Sequence, residues 1–259
     1  MDLNGATALV TGGGSGIGAA LCRRFAAEGA HLVVVDRDGE AAQAVADEIG
    51  AAALTVDVGS AEANRAMIND AEDAVGPIDL LVLNAGLGTA GGVEVPDEAW
   101  DIAWRVNVMA HVWAVRTWLP GAIERGGGYL LHTASAAGLL TNIGAAPYSV
   151  TKHAVVALAE WLSITHGAQG IKVSALCPMF VETPMVQELR KQPGGKGLTS
   201  QGVVQPDDVA EVVVQGLAEE RFLILSHPQV AEMESNRTAD RDRWLAGMRR
   251  LQANVLAAD

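Results

Sequence analysis

"VTGGGSGIGAALCRRF", residues 10–25, lies between an apolar strand and a helical segment and decides the fold class. Its glycines follow the pattern Gly-x-x-x-Gly-x-Gly at Gly12, Gly16 and Gly18. Such glycines permit a tight turn and let backbone N–H groups approach a pyrophosphate at a helix N-terminus. Ser15 adds a hydroxyl donor. A plain glycine-rich turn is the alternative, but the position between strand and helix favours a phosphate-binding loop.

Short apolar and β-branched runs alternate with helix-length segments along the rest of the chain. Nearly continuous apolar strands are typical of a parallel sheet that is buried on both faces. The pattern predicts a doubly wound α/β Rossmann fold, with about seven parallel strands flanked by helices on both faces, as a single domain over residues 1–259. The predicted strands are 6–12, 30–36, 52–58, 78–86, 128–135, 171–178 and 221–226, and the predicted helices are 16–29, 38–50, 60–75, 97–125, 147–168 and 206–219.

The second predicted strand ends in "VVVDRD", residues 33–38. A dinucleotide fold holds an acid against the adenosine ribose at the position of Asp36, which favours NAD because a carboxylate repels a 2′-phosphate. Arg37 is the counter-argument, since a guanidinium can hold that phosphate and so permit NADP. Asp36 has the alternative role of capping the helix that starts near Asp38. Asp57, after the third strand, is a cap or an adenine ligand.

Two further segments differ from the regular alternation. Residues 187–205 are rich in glycine, proline and polar residues, which predicts a mobile substrate loop. Residues 228–259 form a predicted amphipathic helical tail that packs on its own domain or on a neighbouring subunit. The apolar face of that tail carries Trp244, Leu245, Met248, Leu251 and Val255.

The composition narrows the possible partners. The chain has 18 basic and 31 acidic residues, a formal net charge of −13, which disfavours binding to nucleic acid or to an anionic membrane. Cys22 and Cys177 have neither the spacing of a metal site nor that of a disulfide framework. No apolar run approaches the ~18 residues of a membrane span, and the N-terminus does not resemble a signal peptide. We therefore expect a cytoplasmic protein without a metal site.

"ASAAGLLTNIGAAPYSVTKHA", residues 134–154, contains one of the two tyrosines of the chain. Tyr148 and Lys152 are one helical turn apart, so both can face one cleft. A nearby ammonium favours the phenolate and lowers the tyrosine pKa, which makes a usable acid and base. Ser135, at the end of the preceding strand, can stabilise charge on a substrate oxygen. Each residue taken alone is also compatible with a surface position or a cap.

Together these motifs resemble the compact, single-domain branch of the short-chain dehydrogenase/reductase family. The matching elements follow the family's order from the start of the chain to about Met185. They are "TGGGSGIG" (11–18), "DV" (57–58), "NAG" (84–86), Asn107, Ser135 and "YSVTK" (148–152).

The resemblance implies site residues at matching positions. Ser135, Tyr148, Lys152 and Asn107 would be catalytic, with Tyr148 as general acid and base. Lys152 would also hold the nicotinamide ribose, and Asn107 would support a water chain from Lys152 to solvent. The implied cofactor-binding residues are Gly12, Ser15, Gly16, Ile17, Gly18, Asp36, Arg37, Asp57, Val58, Asn84, Ala85, Gly86, Tyr148, Lys152, Pro178, Val181 and Thr183.

One departure from the family pattern concerns the substrate pocket. The family usually has Pro-Gly after the sixth strand, whereas Pro178 is followed here by Met179. The candidate substrate-binding residues are mostly small or apolar, which favours an apolar secondary alcohol or ketone over a sugar. They are Ala136, Ala137, Leu139, Asn142, Met179, Phe180 and Met185. The basic residues Arg190, Lys191 and Lys196 either receive a carboxylate or are solvated.

These observations predict an NAD(H)-dependent oxidoreductase of a small-molecule secondary alcohol or ketone. The alternatives are an NADPH-preferring ketone reductase, which depends on Arg37, and a non-catalytic dinucleotide sensor, which has no need for Ser135, Tyr148 and Lys152. In the family, the helices predicted at 97–125 and 147–168 form subunit contacts. We therefore expect a homotetramer, or a homodimer.

Overall fold

The computed structural model describes residues 1–191, 194–200 and 202–257. Within these ranges seven parallel strands form one sheet in the order β3-β2-β1-β4-β5-β6-β7. The strands are Thr7–Thr11 (β1), His31–Asp36 (β2), Ala52–Thr55 (β3), Leu80–Leu83 (β4), Gly128–Thr133 (β5), Ile171–Leu176 (β6) and Leu223–Ile224 (β7). This arrangement confirms the predicted Rossmann fold.

Helices connect the strands and cover both faces of the sheet. They are Gly16–Ala27 (α1), Gly39–Ile49 (α2), Ala61–Val75 (α3), Asp97–Trp104 (α4), Ala110–Glu124 (α5), Ala137–Leu140 (α6), Ala146–His166 (α7), Pro184–Leu189 (α8), Gly195–Thr199 (α9), Pro206–Ala218 (α10), Gln229–Ala239 (α11) and Arg241–Ala257 (α12). Within the described ranges, no helix is both long and apolar enough to cross a lipid bilayer.

Alternate residues of each strand supply the two hydrophobic cores on either side of the sheet. On β1, Leu9 belongs to the core under α3, α5 and α7, while Ala8 and Val10 belong to the core under α1, α2 and α10. All three side chains are fully buried. A parallel sheet covered on both faces needs this nearly continuous apolar sequence.

The strand order reverses between β1 and β4, which lie side by side at the centre of the sheet. Loops that leave the carboxyl ends of two such strands diverge to opposite faces and open a crevice. The glycine-rich loop follows β1, and the loop beginning at Asn84 follows β4. Candidate site residues from distant parts of the sequence therefore meet at this edge.

The helix predicted at 97–125 has the expected extent but contains a local distortion. Residues Arg105–Met109 form a π-helical segment between α4 and α5. Such segments are rare and occur mostly at functional sites. Asn107 lies at the centre of this one.

Part of the segment predicted as a loop at residues 187–205 is helical in the structure. Its first residues complete α8, and Gly195–Thr199 form α9. Residues 192, 193 and 201 lie outside the described residues, and the mobility of the segment stays a prediction. The tail contains two helices, α11 and α12. Both pack on their own chain, where Met233 and Trp244 contact the core under α7.

Candidate active site

The glycine-rich loop has the geometry of a phosphate cradle. Gly12 and Gly16 adopt φ values of +66° and +52°, a left-handed conformation that favours glycine. A Cβ atom on Gly18 would lie 2.0 Å from the carbonyl oxygen of Gly12, so only glycine lets α1 approach the loop this closely. Ser15 occupies the N-cap of α1 without a side-chain capping bond. The free N–H groups of this helix end therefore suit a pyrophosphate.

Two carboxylates lie at the far end of the same cavity. Asp36 accepts hydrogen bonds from the N–H groups of Gly14 at 3.0 Å and Asp38 at 3.1 Å. The cap of α2 is Asp38, whose side chain accepts the N–H of Ala41, so the capping role considered for Asp36 is wrong. Asp57 accepts the N–H of Gly59 at 2.9 Å.

Ser60 caps α3, so Asp57 is not its N-cap either. Both Asp36 and Asp57 line the cavity, together with the exposed Arg37. The carboxylates are therefore free of the capping roles that the sequence allowed, and their positions suit the adenosine end of a dinucleotide.

A threonine that the sequence argument missed fixes the loop after β4. The Thr11 hydroxyl accepts hydrogen bonds from the N–H groups of Asn84 at 2.9 Å and Ala85 at 3.1 Å. The Asn84 side chain donates to the carbonyl oxygen of Thr11 at 3.1 Å. These bonds hold Asn84, Ala85 and Gly86 against the glycine-rich loop. Thr11 directly precedes Gly12 and opens the motif "TGGGSGIG", but the motif itself does not show which groups its hydroxyl binds.

Ser135, Tyr148 and Lys152 converge beyond the carboxyl end of β5. Ser135 follows β5 by two residues, Tyr148 lies in the first turn of α7, and Lys152 lies one turn later. The Lys152 ammonium is 5.7 Å from the centre of the Tyr148 ring and donates to the carbonyl oxygen of Thr133 at 2.8 Å. The structure therefore brings together the three residues that the sequence argument grouped.

The electrostatics of this trio differ from the expectation. Burial raises the pKa of Tyr148, while its hydrogen bond with Ser135 lowers that pKa. Burial also lowers the pKa of Lys152 to about 8. Desolvation of the phenolate dominates, so the pKa of Tyr148 is raised rather than lowered in this structure. Ser135 is the group that opposes it.

Asn107 acts as a brace behind the trio rather than as part of the cavity wall. Its side-chain oxygen accepts the N–H of Leu87 at 2.8 Å, and its side-chain nitrogen donates to the carbonyl oxygen of Leu87 and the hydroxyl of Thr151. A Cβ atom on Gly86 would lie 3.2 Å from the Asn107 oxygen and 3.4 Å from the Lys152 nitrogen. The π-helical segment thus fixes the loop that passes over Lys152.

The residues after β6 close the cavity beside the glycine-rich loop. Thr183 caps α8, and its hydroxyl donates to the carbonyl oxygen of Val181 at 3.1 Å. A Cβ atom on Gly16 would lie 3.0 Å from the Thr183 methyl group, so Thr183 lies over the start of α1. Pro178, Val181 and Thr183 all line the cavity. Their position relative to Tyr148 suits the nicotinamide end of a dinucleotide.

A family model described as short chain dehydrogenase matches residues 6–194. The chain belongs to the short-chain dehydrogenase/reductase family. The glycine cradle, the uncapped start of α1 and the cavity that runs from Asp36 to Lys152 fit the NAD(P) cofactor of that family.

Individual relatives agree with this assignment. A 1-deoxy-11-beta-hydroxypentalenate dehydrogenase of Streptomyces exfoliatus is 40% identical over 236 residues, which cover 88% of this chain and 85% of that protein. A galactitol 2-dehydrogenase of Cereibacter sphaeroides that forms L-tagatose is 38% identical over 197 residues, covering 74% of this chain and 77% of that protein.

Among solved structures, a short chain dehydrogenase/reductase of Burkholderia phymatum in complex with NAD matches with a TM-score of 0.85 at 31% identity. The match covers 93% of this chain and 96% of that one. The protein is therefore a dehydrogenase/reductase that acts on CH–OH groups or the corresponding ketones.

The cavity of this dehydrogenase has a volume of about 690 Å³ and extends beyond Tyr148 into an apolar half. Six of the seven candidate substrate-binding residues line it, namely Ala136, Ala137, Asn142, Met179, Phe180 and Met185. Leu139 does not line it: the single turn of α6 directs Leu139 into the core, where it is 5% exposed. Its neighbours Leu140 and Thr141 line the cavity instead.

Residues from the C-terminal helices complete the apolar half, a site role that was not predicted from the sequence. Met233 from α11 and Trp244, Met248 and Leu251 from α12 line the cavity. The helical spacing of the α12 residues was visible in the sequence, but the surface that they cover was not.

Two of the three basic residues considered as carboxylate receptors have acidic partners: Arg190 pairs with Glu182, and Lys191 pairs with Glu188, both at 2.7 Å.

Proposed function

We propose that the protein is an NAD(H)-dependent dehydrogenase that interconverts an apolar secondary alcohol and its ketone, with Tyr148 as general acid and base. The observation that carries the proposal is one continuous cavity, which joins Asp36 at one end to Ser135, Tyr148 and an apolar chamber at the other. A dinucleotide held along this path would bring its reactive ring to the chamber.

The proton chemistry follows from the three residues beyond β5. In alcohol oxidation, Tyr148 accepts the hydroxyl proton as hydride leaves the carbon, and in ketone reduction it returns that proton. Ser135 donates a hydrogen bond to the substrate oxygen, where charge develops. Lys152, whose pKa is lowered to about 8, lies beside the tyrosine and would hold the nicotinamide ribose of a bound cofactor. The bound nicotinamide supplies the hydride acceptor or donor.

Asp36 supports a preference for NAD over NADP. Its carboxylate is held by the N–H groups of Gly14 and Asp38 at the end of β2, where a 2′-phosphate would meet a fixed negative charge. Arg37 is exposed at the same edge and is the feature that favours the alternative, an NADPH-preferring reductase. Turnover of one alcohol–ketone pair with both cofactors separates the two proposals.

The chamber supports an apolar substrate rather than a sugar. Its walls are mainly aliphatic, sulfur-containing and aromatic side chains, with few groups that could satisfy several hydroxyls. The relatives act on both kinds of compound according to their names, so this choice depends on the chamber of the present chain.

We further propose a homotetramer in the cytoplasm. The subunit contacts would use the apolar surface of α4 and α7, where Trp104, Trp161 and Ile164 are 42%, 55% and 83% exposed. Two buried free cysteines and a net charge of −13 are compatible with the cytoplasm. A monomeric mass by light scattering would overturn the proposed assembly.

The decisive experiment is a screen of secondary alcohols and ketones that follows NADH absorbance. The proposal predicts turnover of at least one apolar pair, with NAD(H) preferred. Tight binding of NADH without turnover of any compound would instead support a dinucleotide sensor. The retained Ser135, Tyr148 and Lys152 argue against that outcome, because a sensor does not require them.

A further inference from the structure

The apolar half of the cavity is closed by a surface that we call the C-terminal wall, formed by Met233, Trp244, Met248 and Leu251. The three α12 residues have spacings of four and three, so they share one face of the helix. The opposite face carries exposed arginines. Helix α12 is thus an amphipathic helix whose apolar face meets the substrate chamber rather than only the protein core.

The wall is preformed, because several contacts fix its two helices. Val230 of α11 is fully buried in the core. Arg237 of α11 lies 3.4 Å from the His153 ring nitrogen of α7. Asp240 caps α12 by accepting the N–H of Arg243 at 2.9 Å.

Two further methionines line the same cavity as the wall. Met179 follows β6, and Met185 is in α8. Four of the seven methionines of the chain therefore line one cavity, from four different segments. Methionine is flexible and polarisable and packs well against irregular apolar shapes. Together with Trp244, this sulfur-rich lining suits an extended hydrocarbon surface.

The charges that line the chamber disfavour an anionic group at this end. The charged residue that lines this half among the described residues is Glu188, and it pairs with Lys191. Arg190 is held by Glu182 at 2.7 Å. A carboxylate or phosphate placed against the wall would lose its hydration without gaining a cation.

We infer that the C-terminal wall selects neutral, rigid, multi-ring secondary alcohols and ketones, with Trp244 and Met248 as specificity-determining residues for the rings distant from the reacting carbon. The inference depends on the proposed function and adds the size and charge of the substrate. Each ~55 Å² of apolar surface moved from water onto the wall corresponds to about tenfold in affinity. Larger ring systems should therefore be better substrates.

The test is a graded series of ketones, cyclohexanone, 2-decalone and a neutral tetracyclic steroid ketone, assayed with saturating NADH. We expect kcat/KM to rise at least tenfold from cyclohexanone to the best multi-ring ketone. A multi-ring ketone with a carboxylate on its distant ring should lose most of that gain. In Trp244→Ala and Met248→Ala, the ratio of kcat/KM between multi-ring ketone and cyclohexanone should fall about tenfold, mainly through KM.

Leu245→Ala is the matched control. Leu245 is on the same helix but 45% exposed and outside the cavity lining, so the substitution should retain the wild-type ratio. Circular dichroism and NADH titration establish that each variant is folded. If Trp244→Ala does not fold, Met248→Ala alone decides the inference.

Calorimetric titration of the same ketones onto the NADH-loaded protein gives a second readout. Turnover that does not depend on ring number overturns the wall as a selector and leaves the proposed function intact. Absence of turnover with every ketone overturns the proposed function. In that case, binding that strengthens with ring number and weakens in Trp244→Ala still supports the wall, and binding without this dependence overturns it.

Discussion

The Nδ1 atoms of His111 and His132 lie 2.9 Å apart, with their rings stacked, in the core between α5 and β5. Only one proton can occupy the space between the two atoms, so one ring donates and the other accepts. The Nε2 atom of each ring has no hydrogen-bond partner among the described residues. Burial lowers the pKa of His132 to about 3. Burial also holds the pKa of His111 well below its usual value, and the nearby His132 and Lys152 add to this effect.

This pair predicts a loss of stability in mild acid. Both pKa values are lower in the folded protein than the ordinary value of about 6.5, so the unfolded chain binds protons first as the pH falls. The contribution of the two neutral histidines to the free energy of unfolding is complete above about pH 6.5. It declines below that pH by up to about 1.4 kcal/mol per pH unit for each histidine. Urea denaturation at pH 7.5, 6.5, 5.5 and 4.5 measures this dependence.

A double substitution provides the comparison for that experiment. His111→Leu with His132→Leu removes both imidazoles together, so no unpaired ring stays buried, and the free energy of unfolding should vary less over this pH range. His31→Gln removes an exposed imidazole at the start of β2 and should retain the wild-type dependence. An unchanged slope in the double variant would contradict the assignment to this pair.

Tyr148→Phe should abolish most turnover and retain cofactor binding. The substitution removes one hydroxyl from the cavity, and loss of general acid–base catalysis lowers kcat by about 10²–10⁴-fold. Fluorescence titration with NADH reports binding separately from turnover. The matched control is Tyr129→Phe, because Tyr129 is the only other tyrosine and its hydroxyl bonds Ser174 at 2.7 Å outside the cavity lining. Equal activity loss in both variants would remove Tyr148 from the proposed role.

Ser135→Ala should move the pH profile of alcohol oxidation toward more alkaline values. Burial raises the pKa of Tyr148 and the Ser135 bond lowers it, so removing the hydroxyl leaves burial less opposed. The basic form of Tyr148 increases with pH, so kcat/KM for oxidation should rise along an alkaline limb of the pH profile. In the variant this limb should occur at higher pH than in the wild type. Rates measured from pH 7 to 10.5 locate the limb. Ser174→Ala, outside the cavity lining, should leave it in place.

The fold and the polar end of the site could be predicted because their signals are local. The glycine spacing predicts a tight turn, which the structure makes with positive φ at Gly12 and Gly16, and the four-residue spacing of Tyr148 and Lys152 fixes a shared helix face. These constraints act within one turn or one strand–helix junction, so they are visible without knowledge of the tertiary structure.

The apolar end could not be predicted in the same way. Leu139 is on a single helical turn of four residues, which is too short for a periodic pattern to show the direction of its side chain. The sequence shows the apolar face of α12, but the surface that this face covers depends on how α11 packs against the core. The tyrosine pKa likewise depends on desolvation, which is a property of the packed cavity.

Asp36→Asn should shift cofactor preference toward NADPH. The substitution keeps an acceptor for the Gly14 N–H and removes the charge that repels a 2′-phosphate, so the ratio of kcat/KM for NADPH over NADH should rise about tenfold or more. Asp38→Ala removes the same charge two residues later together with the α2 cap, and should cost about 1 kcal/mol of stability without changing the ratio. Equal ratios in both variants would show that general charge, rather than Asp36, sets the preference.

Gly18→Ala should destabilise the fold and prevent NADH binding. A Cβ atom at this position would lie 2.0 Å from the Gly12 carbonyl oxygen and 2.7 Å from the Asn84 side-chain nitrogen. Backbone cannot move aside as a flexible side chain can, so α1 must withdraw from the loop, at a cost of about 3 kcal/mol. Gly167→Ala is the control, because that glycine has helical φ and open space around it, and alanine there should be neutral or slightly stabilising. Thermal unfolding with and without NADH measures both effects. If NADH still stabilises the Gly18→Ala protein, the close approach of α1 to the glycine-rich loop is not required for cofactor binding, and the prediction is wrong.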